Sequence, residues 1–405
     1  MLIPHQGHGN ILCTSRNADT TRLGTTIQVD SLTEDEGLHL LLHRSQHDWT
    51  DGSVAEARAI VRQLGCLALA IDQAAAYITF RHLPLALFSD HYDTHREAVL
   101  HHTPKSLWEY RRRMGEAEKE ISLSVFTTWE MSFQQTARDH NERRSIGHLL
   151  TLSAFLNTAR ISEDLFQSHF TESHPEWMQI FGSEGTWSAD RFQDTICGLL
   201  NISLIQNVDI SGAHTSFSLH PIIRDWLQLR QKHQHPHNYS IEAIGLLSAF
   251  IKTHNHFALT LQRKHEILSH IEVCVQLETA HRGPDFSDSL QTLVDLNSLI
   301  SFLTTGPLDL YKGAEKLELW RLAASERLLG RDDEFTLFAL RKLGEYYFFQ
   351  GRLAEAGRTL QKALQGTEMA LDPDHAELVS ILNLLAKIYD EQNRLEDAEA
   401  MYQRA

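Results

Sequence analysis

No apolar run in this chain approaches the roughly 20 residues of a membrane-spanning helix, and the amino terminus lacks the charged-then-apolar order of a secretory signal, so a cytoplasmic protein with no membrane partner is expected. Cysteine is scarce. The four present, Cys13, Cys66, Cys197 and Cys274, lie too far apart for a metal-ligand spacing or a dense disulfide framework, so reduced, buried thiols are expected. Long basic runs are missing, and 53 acidic residues against 37 Lys and Arg leave a formal charge of -16. That balance weighs against nucleic acid or an anionic membrane as the main ligand. Catalytic signatures are missing too. Gly-x-x-x-x-Gly-Lys-Ser/Thr does not occur, so the backbone loop that cradles phosphates is not encoded, and no hydrophobic strand ending in acids is present to serve a magnesium ion. Gly-x-Ser-x-Gly and His-Glu-x-x-His are also absent. No hydrolytic activity is expected of these residues.

The residues that are present suffice for several cores. At 405 residues, with 42% hydrophobic and 8% aromatic side chains, the chain is expected to fold as two to four domains. Histidine is abundant, at 25, and His233, His235 and His237 alternate. Pro236 and the polar residues around them read as an exposed linker rather than a metal site.

Near the middle, Leu219, Ile222, Ile223, Trp226 and Leu227 recur at the steps of one helical face, with Pro221 in the first turn where a missing N–H costs nothing. His220 stands at the start of this helix. Taken alone it caps or lines a helix end. Before it, 199–208 and 215–219 read as the strands of a hairpin turning at 209–214. Leu-His-Pro-x-x-x-x-Trp resembles the end of the winged-helix subdomain of NB-ARC proteins, which are signalling NTPases of the STAND class. The resemblance implies that His220 reads the β-phosphate of bound ADP, although Pro221 stands where that motif usually has an acid.

Further stretches carry the same resemblance. Asn10-Ile-Leu-Cys-Thr-Ser-Arg-Asn17 reads as a buried strand opening onto a site. It is similar to the last conserved strand of the NB-ARC nucleotide-binding core, which implies nucleotide contacts from Thr14, Ser15 and Arg16, with Arg16 sensing the terminal phosphate. Residues 26–30 supply one more short strand. Ser31-Leu-Thr-Glu-Asp-Glu36 is a good helix start with acids in its first turn, and amphipathic helices are expected over 34–44 and 53–64. A third, over 67–80, is apolar almost all round and therefore buried. Its opening, Leu64-Gly-Cys-Leu-Ala-Leu-Ala70, resembles the family's Gly-x-Pro-Leu-Ala motif, which implies that Leu67 and Ala68 face the nucleotide. Here Ala68 replaces the motif's proline. Ser124-Val-Phe-Thr-Thr-Trp-Glu-Met-Ser-Phe133 resembles the entry to the winged-helix region in members bearing tetratricopeptide repeats. Helices over 146–156 and from 163 onward follow.

The strongest signal is an internal repeat. Leu340, Leu343, Gly344, Tyr347, Gly351, Arg352, Leu353, Ala356, Leu360 and Ala363 return at a constant step as Leu382, Leu385, Ala386, Tyr389, Asn393, Arg394, Leu395, Ala398, Tyr402 and Ala405. Ala314 and Asp332 keep the same phase, so a weaker unit is expected over 301–330. The pattern resembles the tetratricopeptide repeat in its kinesin-light-chain form. Stacked two-helix units leave an open groove, and Arg341, Glu345, Asn383 and Lys387 are its candidate positions for binding a protein or peptide.

The expected architecture is mainly α: the last strands of an α/β nucleotide-binding core over 1–30, a helical lid over 31–102, a winged-helix subdomain over 103–235, a helical linker over 236–310 and a repeat solenoid over 311–405. The resemblance implies an ADP- or ATP-regulated signalling switch, cut short at its amino terminus and binding nucleotide only with a complete core. The alternative is a repeat scaffold that uses no nucleotide.

Overall fold

The computed structural model describes residues 31–92, 129, 133, 139–173, 175–183, 185–210, 212–234, 238–254, 258–281, 289–304, 310–370, 372 and 375–405. The strands expected over 1–30 therefore lie outside the described residues. The described residues are mainly helical, with a few short strands. They divide into two compact units. The first takes the described residues up to Ala154, Thr158–Ser162 and those of 177–236; the second takes Phe155–Asn157, those of 163–176 and those from 237 onward.

The first unit opens with three helices, α1 (Glu34–Ser45), α2 (Asp51–Gln63) and α3 (Ala68–Arg81). Thr33 closes the capping box its sequence calls for. Its hydroxyl accepts from the Glu36 N–H at 3.3 Å while its own N–H donates to the Glu36 carboxylate at 2.8 Å. Thr50 and Ser53 repeat the device at α2. Helix α1 packs on both α2 and α3. Ala70, Ile71, Ala74, Ala75, Tyr77 and Ile78 bury α3 nearly all round, and its one buried acid, Asp72, is held by Arg44 at 2.9 Å. A 3-10 turn over Leu85–Leu87 follows.

Helix α4 (His140–Ser153) leads to strand β1 (Ile161–Ser162), then α5 (Glu163–Ser173), a short hairpin β2 (Gly182–Ser183) and β3 (Thr186–Trp187), α6 (Ala189–Asn201), strands β4 (Gln206–Asp209) and β5 (Ser216–Ser218), and α7 (Pro221–Gln234). The sheet runs β1-β5-β4, antiparallel throughout, with Ile161 opposite Phe217 and Gln206 opposite Ser218. The expected hairpin is present, but its first strand starts at Gln206 rather than 199. Phe192, Ile196 and Leu199, buried at helical spacing behind the Ser188 cap, carry α6 through Asn201. Ser203, at φ 59, then turns the chain.

In the second unit α8 (Tyr239–Thr253) packs on α5, on α9 (Leu261–His281) and on α10 (Leu290–Thr304). Antiparallel pairs follow: α10 with α11 (Tyr311–Leu328), α12 (Glu334–Phe349) with α13 (Leu353–Ala370), and α14 (Ala376–Glu391) with α15 (Leu395–Arg404). Ala314, Ala356 and Ala398 occupy equivalent buried positions in α11, α13 and α15. The weak first unit thus pairs 311–328 with a helix that starts at Leu290, not 301. A cation–π contact also repeats, with Arg352 4.2 Å from the Tyr347 ring and Arg394 4.4 Å from that of Tyr389.

Close packing explains a small residue within α12. A Cβ on Gly344 would sit 2.6 Å from Leu360 Cγ on α13, and Leu360 is fully buried. Gly344→Ala should therefore destabilise the protein by about 1–3 kcal/mol through overpacking, despite its gain in helix propensity. A urea unfolding midpoint at or above wild type would contradict this.

Candidate functional site

In the first unit the start of α7 meets the turn between α2 and α3. Leu64 ends α2, and Gly65 and Cys66 both adopt left-handed backbone, at φ 61 and φ 57, before Leu67 opens α3. His220 reaches this turn from the end of β5. Its Nε2 lies 2.9 Å from the Gly65 carbonyl oxygen, and its Nδ1 lies 3.2 Å from the Ile222 backbone nitrogen. A carbonyl only accepts and an amide N–H only donates, so the ring is a neutral imidazole with its proton on Nε2. One side chain caps α7 and ties it to the turn before α3.

Burial lowers the pKa of His220 by penalising the charged ring, against the opposing pull of the Gly65 carbonyl and of Asp225. Asp225, one turn along α7, accepts from the Tyr92 hydroxyl at 3.0 Å, a second tie between 31–92 and α7. Gly65 is required twice over. Its φ is positive, and a Cβ there would come within 2.5 Å of His220 Nε2.

Of the candidate nucleotide-facing residues, Leu67 and Ala68 are thus placed on the turn that His220 holds. Leu67 is half-buried and Ala68 exposed. Thr14, Ser15 and Arg16 lie outside the described residues, as do His235 and His237. The contact between Gly65 and His220 is one that sequence reading misses. The left-handed pair is hinted at only by a glycine between two helices.

The second candidate surface is the solenoid. Arg341 on α12 is 8% exposed, and its guanidinium pairs with Glu377 on α14 and with Glu345 at 3.1 Å. Glu345 also takes the Lys342 ammonium at 2.9 Å. Two of the four candidate groove residues, Arg341 and Glu345, are therefore engaged with each other, and Arg341 acts as a clamp between α12 and α14. Asn383 is half-buried and Lys387 exposed. Phe338 has two guanidiniums over its ring, Arg321 at 5.1 Å and Arg341 at 5.0 Å. Arg321 pairs with the fully buried Glu318 and donates to Asn297 at 2.9 Å. Burial pushes the Glu318 carboxyl up to about 7, against the pull of Arg321. The Glu318–Arg321 and Arg341–Glu345 spacings of three and four are the sequence signals for this layer.

Among the described residues no group of His, Cys, Asp and Glu is arranged to hold a metal ion, and no helix is long and apolar enough to cross a membrane.

Residues 335–405 match the tetratricopeptide repeat family. Among curated proteins none matches the chain. Two solved structures are similar over larger parts. One is BtubC (BKLC) from P. vanneervenii, at 16% identity and a TM-score of 0.32, over 45% of this chain and 69% of that one. The other is a signal transduction ATPase with numerous domains (STAND) protein with a tetratricopeptide repeat sensor from Pyrococcus horikoshii, at 11% identity and a TM-score of 0.25, over 92% of this chain. The present chain spans 53% of that protein's length.

The His220 geometry sets the sign of a pH effect. A folded-state pKa below the ordinary imidazole value, about 6.5, means that the unfolded chain binds the extra proton first. The ring's contribution to stability is then fully present above about pH 6.5 and is lost as pH falls toward the lowered folded value. The difference in urea midpoint between wild type and His220→Ala should accordingly shrink between pH 7.5 and pH 5.5. A difference that grows on acidification would contradict the neutral-ring assignment.

Proposed function

We propose that these residues form the lid, lever and sensor of a nucleotide-regulated STAND-type switch, in which ADP holds the closed state and the repeats engage a protein partner. The observation that carries this reading is the contact between His220 and Gly65. It joins the turn that resembles the family's adenosine-facing motif to the histidine that resembles its phosphate reader, two segments far apart in the chain. The β1-β5-β4 sheet, with α6 leading into the β4–β5 hairpin just before α7, supports reading the segment before α7 as a winged helix. The acidic balance and the Asp190 and Asp194 of α6 favour its use as a lever over DNA binding. The repeats of 335–405 are a protein-interaction module.

The chemistry assigned to these residues is recognition. His220 has one N–H, and it is directed at Gly65, so a phosphate oxygen that engages the ring takes that proton donor from the carbonyl. Ligand contact and the direct tie are then alternatives, and in the closed state the bound nucleotide would replace the tie as the link between the His220 helix and the turn before α3. Hydrolysis is not assigned to the chain, because its sequence encodes no phosphate-binding loop.

A second reading, a repeat scaffold without nucleotide control, is favoured by one fact: both ring nitrogens of His220 already have partners within the unit. The two readings part in a protein that joins residues 1–405 to a core bearing a phosphate-binding loop. On the switch reading His220→Ala weakens ADP binding about tenfold, as expected for one lost charge-assisted hydrogen bond, and raises the active fraction. Unchanged ADP affinity, measured by calorimetry, would leave the scaffold.

A further inference from the structure

The layer that joins α10, α11 and α12 contains a carboxyl with one oxygen unserved. Glu318 on α11 is fully buried, and both guanidinium contacts it receives fall on Oε1. Arg321 donates to that oxygen through Nε at 2.9 Å and also through Nη2. No donor among the described residues reaches Oε2, which is shielded from solvent as well. The neighbouring pair is different. Glu377 accepts from Arg341 on both oxygens, Nε on Oε2 and Nη2 at 3.4 Å on Oε1, the two-pronged geometry usual for a carboxylate with a guanidinium.

Arg321 is not free to serve Oε2. Its remaining nitrogen, Nη1, donates to Asn297 on α10 at 2.9 Å, and its guanidinium lies 5.1 Å from the Phe338 ring on α12. An ionised carboxylate with one oxygen left dry in the interior is costly. The neutral acid fits the same contacts, with Oε1 as the acceptor for Arg321 and the proton on Oε2. The surroundings favour it. Burial holds the Glu318 carboxyl at about 7, against the pull of Arg321 on its own helix and of Lys342 and Arg341 on α12. The Tyr346 hydroxyl of α12 is pushed up by burial and then by Glu318. On α10 the one charged side chain, Asp295, is engaged by Ser248 at 2.7 Å and Lys252 at 3.2 Å on α8.

We propose that Glu318 Oε2 is a proton-binding site, and that release of its proton loosens the packing of α11 between α10 and α12. The bridge is Arg321, which ties the Glu318 carboxyl to Asn297 on one side and to Phe338 on the other. Once the carboxyl is ionised, its dry oxygen is relieved by opening this layer to water. In an opened chain the carboxyl has its ordinary value of 4.5, so below that pH both forms hold the proton and the stabilisation is complete. It declines as pH rises and is lost beyond about 7, where the buried carboxyl ionises too. Across this range the equilibrium for opening the layer should rise about tenfold between pH 6 and pH 8.

Two measurements on the full chain test this. The glutamate side-chain carboxyls are isotopically labelled and titrated by NMR, with the Glu318 signal identified through its own backbone assignment. Hydrogen exchange is followed at the amides of 317–325, with those of α3 in the other unit reporting any general effect of pH. The Glu318 carboxyl should titrate in the neutral range, and the protection of 317–325 should fall about tenfold from pH 6 to pH 8. In Glu318→Gln, whose side chain keeps an oxygen for Arg321 and never ionises, protection should change less than about twofold over the same range. The carboxyl titration is read on wild type alone and decides the assignment even if Glu318→Gln fails to fold. A midpoint in the ordinary carboxylate range overturns it, as does wild-type protection that does not change with pH or that falls equally in Glu318→Gln.

Discussion

The first unit depends on a ring that must stay neutral. His220 accepts a hydrogen bond from the Ile222 N–H that opens α7 and donates one to the Gly65 carbonyl in the turn before α3. These are demands that imidazolium cannot meet together, because it has no lone pair for the Ile222 N–H. Burial enforces the neutral form. Around this ring the other features fall into place. Gly65 has no room for a Cβ, Cys66 follows it in left-handed backbone, and Tyr92 ties to Asp225 one turn further along α7.

The second unit rests on a different device. Its repeated small residues and apolar ridges supply the stacking, while Glu318, Arg321, Phe338, Arg341 and Glu377 form one layer that does not repeat: the position of Arg341 is Asn383 in the next unit and that of Glu377 is Phe335 in the one before. Buried ion pairs contribute little net stability, since desolvation offsets their attraction. The same layer removes Arg341 from the groove and leaves Lys387 as the exposed cation among the four candidate groove positions.

Much of this is legible in the residues. The helices expected over 34–44, 53–64 and 67–80 are found over 34–45, 51–63 and 68–81, the first from its cap and the others from their apolar residues, and the solenoid follows from the constant step between Tyr347 and Tyr389 and between Ala356 and Ala398. The boundary at 199–206 is misread from sequence because Leu199 and Leu200 suit a strand as well as the last turn of α6, and only the tertiary burial of Phe192 and Ile196 decides between them. The contact between His220 and Gly65 is invisible for another reason. A backbone carbonyl has no residue-type signature, so a side chain that recognises one leaves no pattern to read. The capture of Arg341 by Glu377 is long-range in the same sense, and only its partner Glu345 sits at a spacing that periodicity reveals.

The central claim is that His220 is a neutral, doubly bonded joint. Its most direct test is the nitrogen chemical shifts of the His220 ring, assigned by comparison with His220→Ala and followed through a pH titration. The account predicts the Nε2–H tautomer at pH 7, with Nδ1 as the acceptor and a titration midpoint below the ordinary imidazole range. A ring protonated on both nitrogens at pH 7, or one in the Nδ1–H tautomer, would contradict it.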